Sequence, residues 1–197
     1  MIASLFEPQT LPRFSVVVED PAWPERGGGN RGAQMHYPVM TVRQIVNLPV
    51  RHCLAADCHL WLWTTDTFLP DAFRVLEARG VEYKRSWAWV KHDGRRLQTG
   101  LGQYARACHE WLILGTKGKT SLPDPHHRPP SVIMAPRGPH SRKPDEAWSV
   151  IETVSAGRTG PRLELNARQH REGWTAVGHE TSGTTIEQFL RPYAWGR

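Results

Sequence analysis

The sequence predicts an α/β fold, a mostly parallel sheet with helices on both faces. Two observations carry this. Strand-like and helix-like segments alternate along the chain, and several strand-like runs are almost wholly apolar, as strands buried on both faces are. At 197 residues the length suits one sizeable domain over 1–197, with a core over about 11–180 and a tail over 181–197.

The run from Phe14 to Val18, ended by Glu19 and Asp20, reads as the first strand. Pro21 stops it, because proline has no N–H to give the ladder. A loop rich in glycine and charge follows over 24–36. From Thr41 to Pro49, the residues Val42, Ile45, Val46 and Leu48 recur at near-helical spacing behind Thr41 as N-cap. A buried strand is expected over 59–65, then a helix over 66–80 stopped by Gly80. Residues 81–91 alternate as a strand, 92–107 form a basic, glycine-containing loop, and 109–115 form another buried strand. The proline-rich stretch 117–139 with its His126-His127 pair is expected to be a surface excursion. The segment 143–154 reads as a helix with proline in its first turn and acids behind it. Two short strands over 162–167 and 174–180 and an amphipathic helix in the tail complete the chain.

Lysine and arginine number 25 against 19 acids, a net charge of +6 that suits a polyanionic partner. Of the nine tryptophans most must be core, with some available to stack on bases. The three cysteines, Cys53, Cys58 and Cys108, do not make a disulfide scaffold, and a reducing compartment is the simpler reading. His52-Cys53 and Cys58-His59 lack zinc-ligand spacing, so no metal is expected. No apolar run approaches membrane-spanning length, and the N-terminus shows no secretory signal, so the expected location is cytoplasmic.

The first strand delivers an acid and an aromatic ring together at its carboxyl end, where ligands bind in open α/β sheets. An isolated D-P-x-W is more often an Asx-Pro turn over a core tryptophan. It is not isolated. In order, the chain gives "DPAW" (20–23), "HYPVMT" (36–41), "LWLWTT" (60–65), "WAWVK" (87–91), "HEWLILGTKG" (109–118), "HSRKPDEAWSVIE" (140–152), "RLELNAR" (162–168) and "GWTAVGHE" (173–180). Together these resemble the DPPW-type N6-adenine methyltransferases, the family of the catalytic subunit of the eukaryotic mRNA N6-adenosine methyltransferase, with bacterial and phage DNA members.

The resemblance implies a Rossmann-like fold that binds S-adenosyl-L-methionine, with the catalytic motif placed before the cofactor-binding half. It implies methyl transfer to the exocyclic N6 amine of adenine in nucleic acid. DNA is expected over RNA, because no additional RNA-binding module of the kind fused to eukaryotic relatives is evident. A homo- or heterodimer is compatible with so small a chain.

The delocalised lone pair of that amine must be aimed at the sulfonium methyl, which two hydrogen-bond acceptors on the amine hydrogens accomplish. Asp20 is then the carboxylate acceptor, the Pro21 carbonyl its companion, and Trp23 a stacking face. Ala22 replaces the family's second proline. It restores an N–H and loosens φ, so activity is expected to persist at a reduced level. The alternative is a catalytically weakened subunit that binds nucleic acid or a partner. The resemblance assigns Lys143 to the polar end of the cofactor together with Asp20, Arg168 and His170 to its ribose, and His179 and Glu180 to its adenosine moiety. Arg171 stands where an asparagine is usual. Tyr37, Trp89 and Lys91 fall at positions near the acceptor adenine, and Arg95 and Arg96 suit polymer phosphates. Trp89 is equally a core residue by its place in an alternating strand.

Overall fold

The computed structural model describes residues 11–24, 39–119, 122–138 and 142–195. Its strands are β1 (Phe14–Glu19), β2 (Leu54–Thr64), β3 (Glu82–Lys91), β4 (His109–Lys117), β5 (Val132–Ala135), β6 (Arg162–Leu165) and β7 (Trp174–Val177). Its α-helices are α1 (Val42–Asn47), α2 (Leu69–Arg79), α3 (Asp145–Val154) and α4 (Ile186–Trp195). The strands form one sheet in the order β5-β3-β4-β2-β1-β6-β7. The pairs β1–β2, β1–β6, β6–β7 and β3–β5 are parallel, and β4 alone runs against its neighbours β2 and β3. The mostly parallel α/β sheet is therefore as expected.

β1 lies centrally and is buried on both faces, which is why its sequence is nearly continuous in apolar residues. Phe14 and Val17 join one core with Ile45, Leu60, Leu62, Val75 and Leu190, beneath α1, α2 and α4. Val16 and Val18 join the other with Trp61, Trp63, Trp87, Trp89 and Trp148, beneath α3. Most of the tryptophans thus build the second face rather than a surface.

Local signals explain the element ends. Thr41 caps α1 through a reciprocal capping box with Gln44. Gly80 ends α2 in the left-handed conformation, with φ +68°. Gly115 makes room for the turn that follows α2, since a Cβ there would lie 2.6 Å from Val81 Cγ2 and 3.2 Å from Leu76 Cδ2.

Several elements differ from the sequence reading, three of them for a clear local reason. β2 starts at Leu54, where the exposed Ala56 and Asp57 hide its alternation. Pro144 is the N-cap of α3 and not a first-turn residue. The expected surface excursion contains β5, a four-residue edge strand lying parallel to β3 with Trp89 opposite Ile133. Its brevity and the preceding prolines conceal it.

Candidate active site

All strands but β4 end at one edge of the sheet, and β4 begins there. That edge gathers Asp20 after β1, Thr64 at the end of β2, Lys91 at the end of β3, Glu110 near the start of β4 and Asn166 after β6. A cleft of about 450 Å³ opens here, lined among others by Asp20, Trp23, Lys143, Asn166, Arg168 and Glu180. Its volume lies within the range of small-molecule sites.

The turn after β1 is held by several hydrogen bonds. The Trp23 N–H donates to the Pro21 carbonyl at 2.8 Å, and the Met40 N–H to the Ala22 carbonyl at 2.8 Å. Asn166 Nδ2 donates to the Asp20 carbonyl at 2.8 Å. Asn166 itself sits at φ +61°, a left-handed conformation that asparagine tolerates. Trp23 stacks on Phe68 at 5.2 Å between centroids, and its Nε1 donates to the Trp63 carbonyl at 3.0 Å. One ring face is thereby covered while the residue still lines the cleft. The φ freedom introduced by Ala22 is offset by these bonds.

On the α3 side of the edge, four side chains of alternating charge run in a line. Lys91 donates to Glu110 Oε1, and Lys143 Nζ lies 3.1 Å from both Glu110 Oε2 and Asp20 Oδ2. The line rests on aromatic rings, with Lys91 Nζ 4.9 Å from the Trp89 centroid and Lys143 Nζ 5.1 Å from that of Trp63. Burial would raise Glu110, but Lys143 and Lys91 together hold it down at about 2. Burial would lower Lys143, but Asp20 and Glu110 outweigh it and hold the ammonium well above its ordinary value. Asp20 is raised, chiefly by burial and also by Glu110, against the pull of Lys143. The acid therefore sits in a weakly solvated place, stabilised by one ammonium.

The wall opposite comes from β6, β7 and α4. Arg168 Nη1 meets Glu180 Oε1 at 3.2 Å. A Cβ on Gly178 would lie 2.3 Å from the Ala167 carbonyl, so glycine allows the two strand ends to close here. Residues 184–187, leading into α4, complete the rim.

Of the residues singled out from sequence, Asp20, Pro21, Ala22, Trp23, Lys143, Arg168, His179 and Glu180 come together around the cleft. The others do not. Trp89 is 2% exposed and packs edge-on against Trp63, with its Nε1 donating to the Ala135 carbonyl. It is a core residue, because β3 turns Trp87 and Trp89 toward α3. Lys91 is engaged with Glu110 and lies outside the cleft lining. His170 is exposed and also outside that lining, beyond the left-handed bend at Asn166. Arg95 and Arg96 are exposed, where their backbone N–H groups donate to Asp93 Oδ1. Tyr37 lies outside the described residues. Sequence reasoning gave no role to Asn166 or to Thr64 and Thr65 at the rim. It held Glu110 only as part of the HEWLILGTKG stretch. For Asn166 the signal was an asparagine directly after a strand. Among the described residues, no three His, Cys, Asp or Glu side chains converge as a metal site would require. Among the described residues, no helix is long and apolar enough to cross a membrane.

Residues 14–180 match the MT-A70 family. The chain belongs to that family. The chain is 27% identical to the Type II methyltransferase M.MunI of Mycoplasma sp over 200 residues, covering 90% of this chain and 82% of the relative. It is 28% identical to the human N(6)-adenine-specific methyltransferase METTL4, covering 85% of this chain and 37% of that one. It is 29% identical to the human N(6)-adenosine-methyltransferase catalytic subunit METTL3, covering 88% and 29%. The chain thus spans most of the bacterial relative and about a third of the animal ones. The animal relatives are named as an N(6)-adenine-specific and an N(6)-adenosine methyltransferase.

Proposed function

We propose that this chain transfers a methyl group from S-adenosylmethionine to the N6 amine of adenine in nucleic acid. The observation that carries the reading is Asp20. It is an acid at the carboxyl edge of an interior strand, lining the cleft, with Oδ2 on Lys143 and the carboxyl only partly buried. When bound, the cofactor supplies an electrophilic methyl on a sulfonium. Lys143 and Arg168 offer cations for its carboxylate and hydroxyl end, and Glu180 and His179 offer polar contacts for its adenosine. Asp20 and the Pro21 carbonyl accept the two amine hydrogens, so the nitrogen lone pair is aimed rather than left in the ring. The Trp23 N–H already fixes the Pro21 carbonyl while leaving its second lone pair available. This favours an active enzyme over a weakened subunit, despite Ala22.

DNA is the preferred polymer. A relative matched over the greater part of both chains is a Type II methyltransferase. Arg95, Arg96 and Arg106 on the exposed loop between β3 and β4 offer phosphate contacts. Because flipping a base out of a duplex costs a few kcal/mol, a monomer acts best on unpaired adenines, and a second subunit is required for duplex. Three free thiols suit work in the reducing cytoplasm. The test is methyl transfer from labelled S-adenosylmethionine to matched DNA and RNA oligonucleotides, single-stranded and duplex, followed by nucleoside analysis. N6-methyldeoxyadenosine is the expected product, and label at another atom or in no polymer contradicts the reading.

A further inference from the structure

Glu164 is a half-buried acid to which the arrangement above gives no partner. It lies on β6 in register with Val18 of β1 and Ala176 of β7. Its Oε2 is shut off from solvent and accepts no hydrogen bond among the described residues. Glu164 lines a second, small cavity of about 20 Å³, and four residues of that cavity, Asp20, Lys143, Asn166 and Arg168, also line the main cleft. It therefore stands directly behind the cleft wall.

An isolated carboxylate withdrawn from water is costly unless it is neutralised or given a cation. Burial raises Glu164 to about 7, with Arg171 opposing and Asp20 reinforcing the rise. The charged groups around it are Asp20 after β1, Arg142 and Lys143 before α3, Asp145 in α3, and Arg168 and Arg171 between β6 and β7. Most of these are already matched: Lys143 with Asp20 and Glu110, Arg168 with Glu180, and Arg171 and Arg142 with Asp145. Glu164 Oε2 accepts from none of these three guanidinium groups, and Arg171 Nε is itself buried without an acceptor among the described residues. The wall holds a negative charge in reserve.

We propose that Glu164 is the residue by which the cleft distinguishes the charged methyl donor from its demethylated product. The inference rests on the S-adenosylmethionine reading above. At neutral pH the donor carries a sulfonium, an ammonium and a carboxylate, and so one net positive charge; S-adenosylhomocysteine has lost the sulfonium charge and is neutral overall. A net cation in the cleft favours ionised Glu164, so donor binding releases the Glu164 proton to solvent. With product in the cleft that bias is gone, the carboxyl takes its proton back from solvent, and the product is held less tightly. The half-buried acid thus helps to clear the site after each turnover.

Calorimetric titration of the intact protein at pH 7, in two buffers of different protonation enthalpy, counts the protons released per ligand bound. A group titrating near 7 gives up about half a proton there, so the wild type is expected to release about that with S-adenosylmethionine and far less with S-adenosylhomocysteine. Glu164→Gln, which keeps the shape, is expected to abolish the release. It should also weaken S-adenosylmethionine binding about tenfold at pH 8, a loss equivalent to one pKa unit of interaction, while sparing S-adenosylhomocysteine. Equal proton release with both ligands in the wild type overturns the proposal without recourse to any variant. Release that survives Glu164→Gln, or equal loss of both ligands, also overturns it. If the wild type binds neither ligand, the cofactor reading falls and the role of Glu164 with it, an outcome distinct from binding without selective proton release.

Discussion

Glu19 and Asp20 are neighbours at the end of one strand, yet they meet opposite surroundings. Strand alternation sends them to opposite faces of the sheet. Glu19 is fully buried and forms a two-pronged pair with Arg79, Nε to Oε2 at 3.1 Å and Nη2 to Oε1 at 2.6 Å. The remaining Arg79 N–H groups donate to the carbonyls of Ile45, Val46 and Leu48, so its donors are all used. This ties β1, α2 and the end of α1 together. Asp20 keeps partial exposure, one ion pair and an open side toward the cleft. A buried charge with every partner present holds a fold. One with a partner missing is available to a ligand.

The comparison breaks most readily at Arg79. Arg79→Ala leaves Glu19 charged and unpaired in the interior, and is expected to cost about 3–5 kcal/mol in chemical denaturation. Near wild-type stability would show that the pair is not the structural one.

A second buried cluster sharpens the same rule at the opposite edge. His59 Nδ1 lies 3.1 Å from Ser155 Oγ and its Nε2 3.4 Å from Arg158 Nη2, an arrangement that suits a neutral ring protonated on Nδ1. Burial first, then Arg158, lowers His59 to about 4 from 6.5. The unfolded chain therefore takes up a proton before the folded one does. Stability is full above about pH 6.5 and falls as pH drops toward 4, by about 3 kcal/mol over the window. His59→Gln is expected to flatten that part of the pH–stability curve, and an unchanged slope would exclude His59 as its source.

The smallest effect belongs to charges with no interior role. Arg95→Ala combined with Arg96→Ala is expected to leave stability and cofactor affinity unchanged. It should weaken nucleic-acid binding and reduce the salt slope by about 2, one for each lost phosphate contact. Filter or fluorescence titrations over a range of salt measure this, and an unchanged slope would remove the loop from the interface.

Much of this organisation is legible in the sequence because it is local. The apolar run of β1, the Thr41 cap, the Gly80 stop and the acid-proline-tryptophan turn each announce themselves within a few residues. The cleft residues Lys143, Arg168 and Glu180 were legible only as members of an ordered set of motifs. What stayed hidden depends on contacts between distant segments. Trp89 reads the same whether β3 turns it to solvent or to α3. β5 is too short for periodicity. Arg79, Glu110 and Glu164 are single charges on a helix or strand, and nothing nearby in sequence names the partners that give them their roles.

The central claim is that Asp20 works on the substrate while Glu19 works on the fold. Its most direct test is the single-turnover rate of methyl transfer by Asp20→Asn, measured beside its thermal unfolding. Because the Asp20 carboxylate is disfavoured by burial, the neutral amide should leave Tm unchanged or raised, while losing one acceptor of the amine hydrogens should slow transfer by about 100-fold or more. Wild-type turnover in a folded Asp20→Asn protein would contradict the claim.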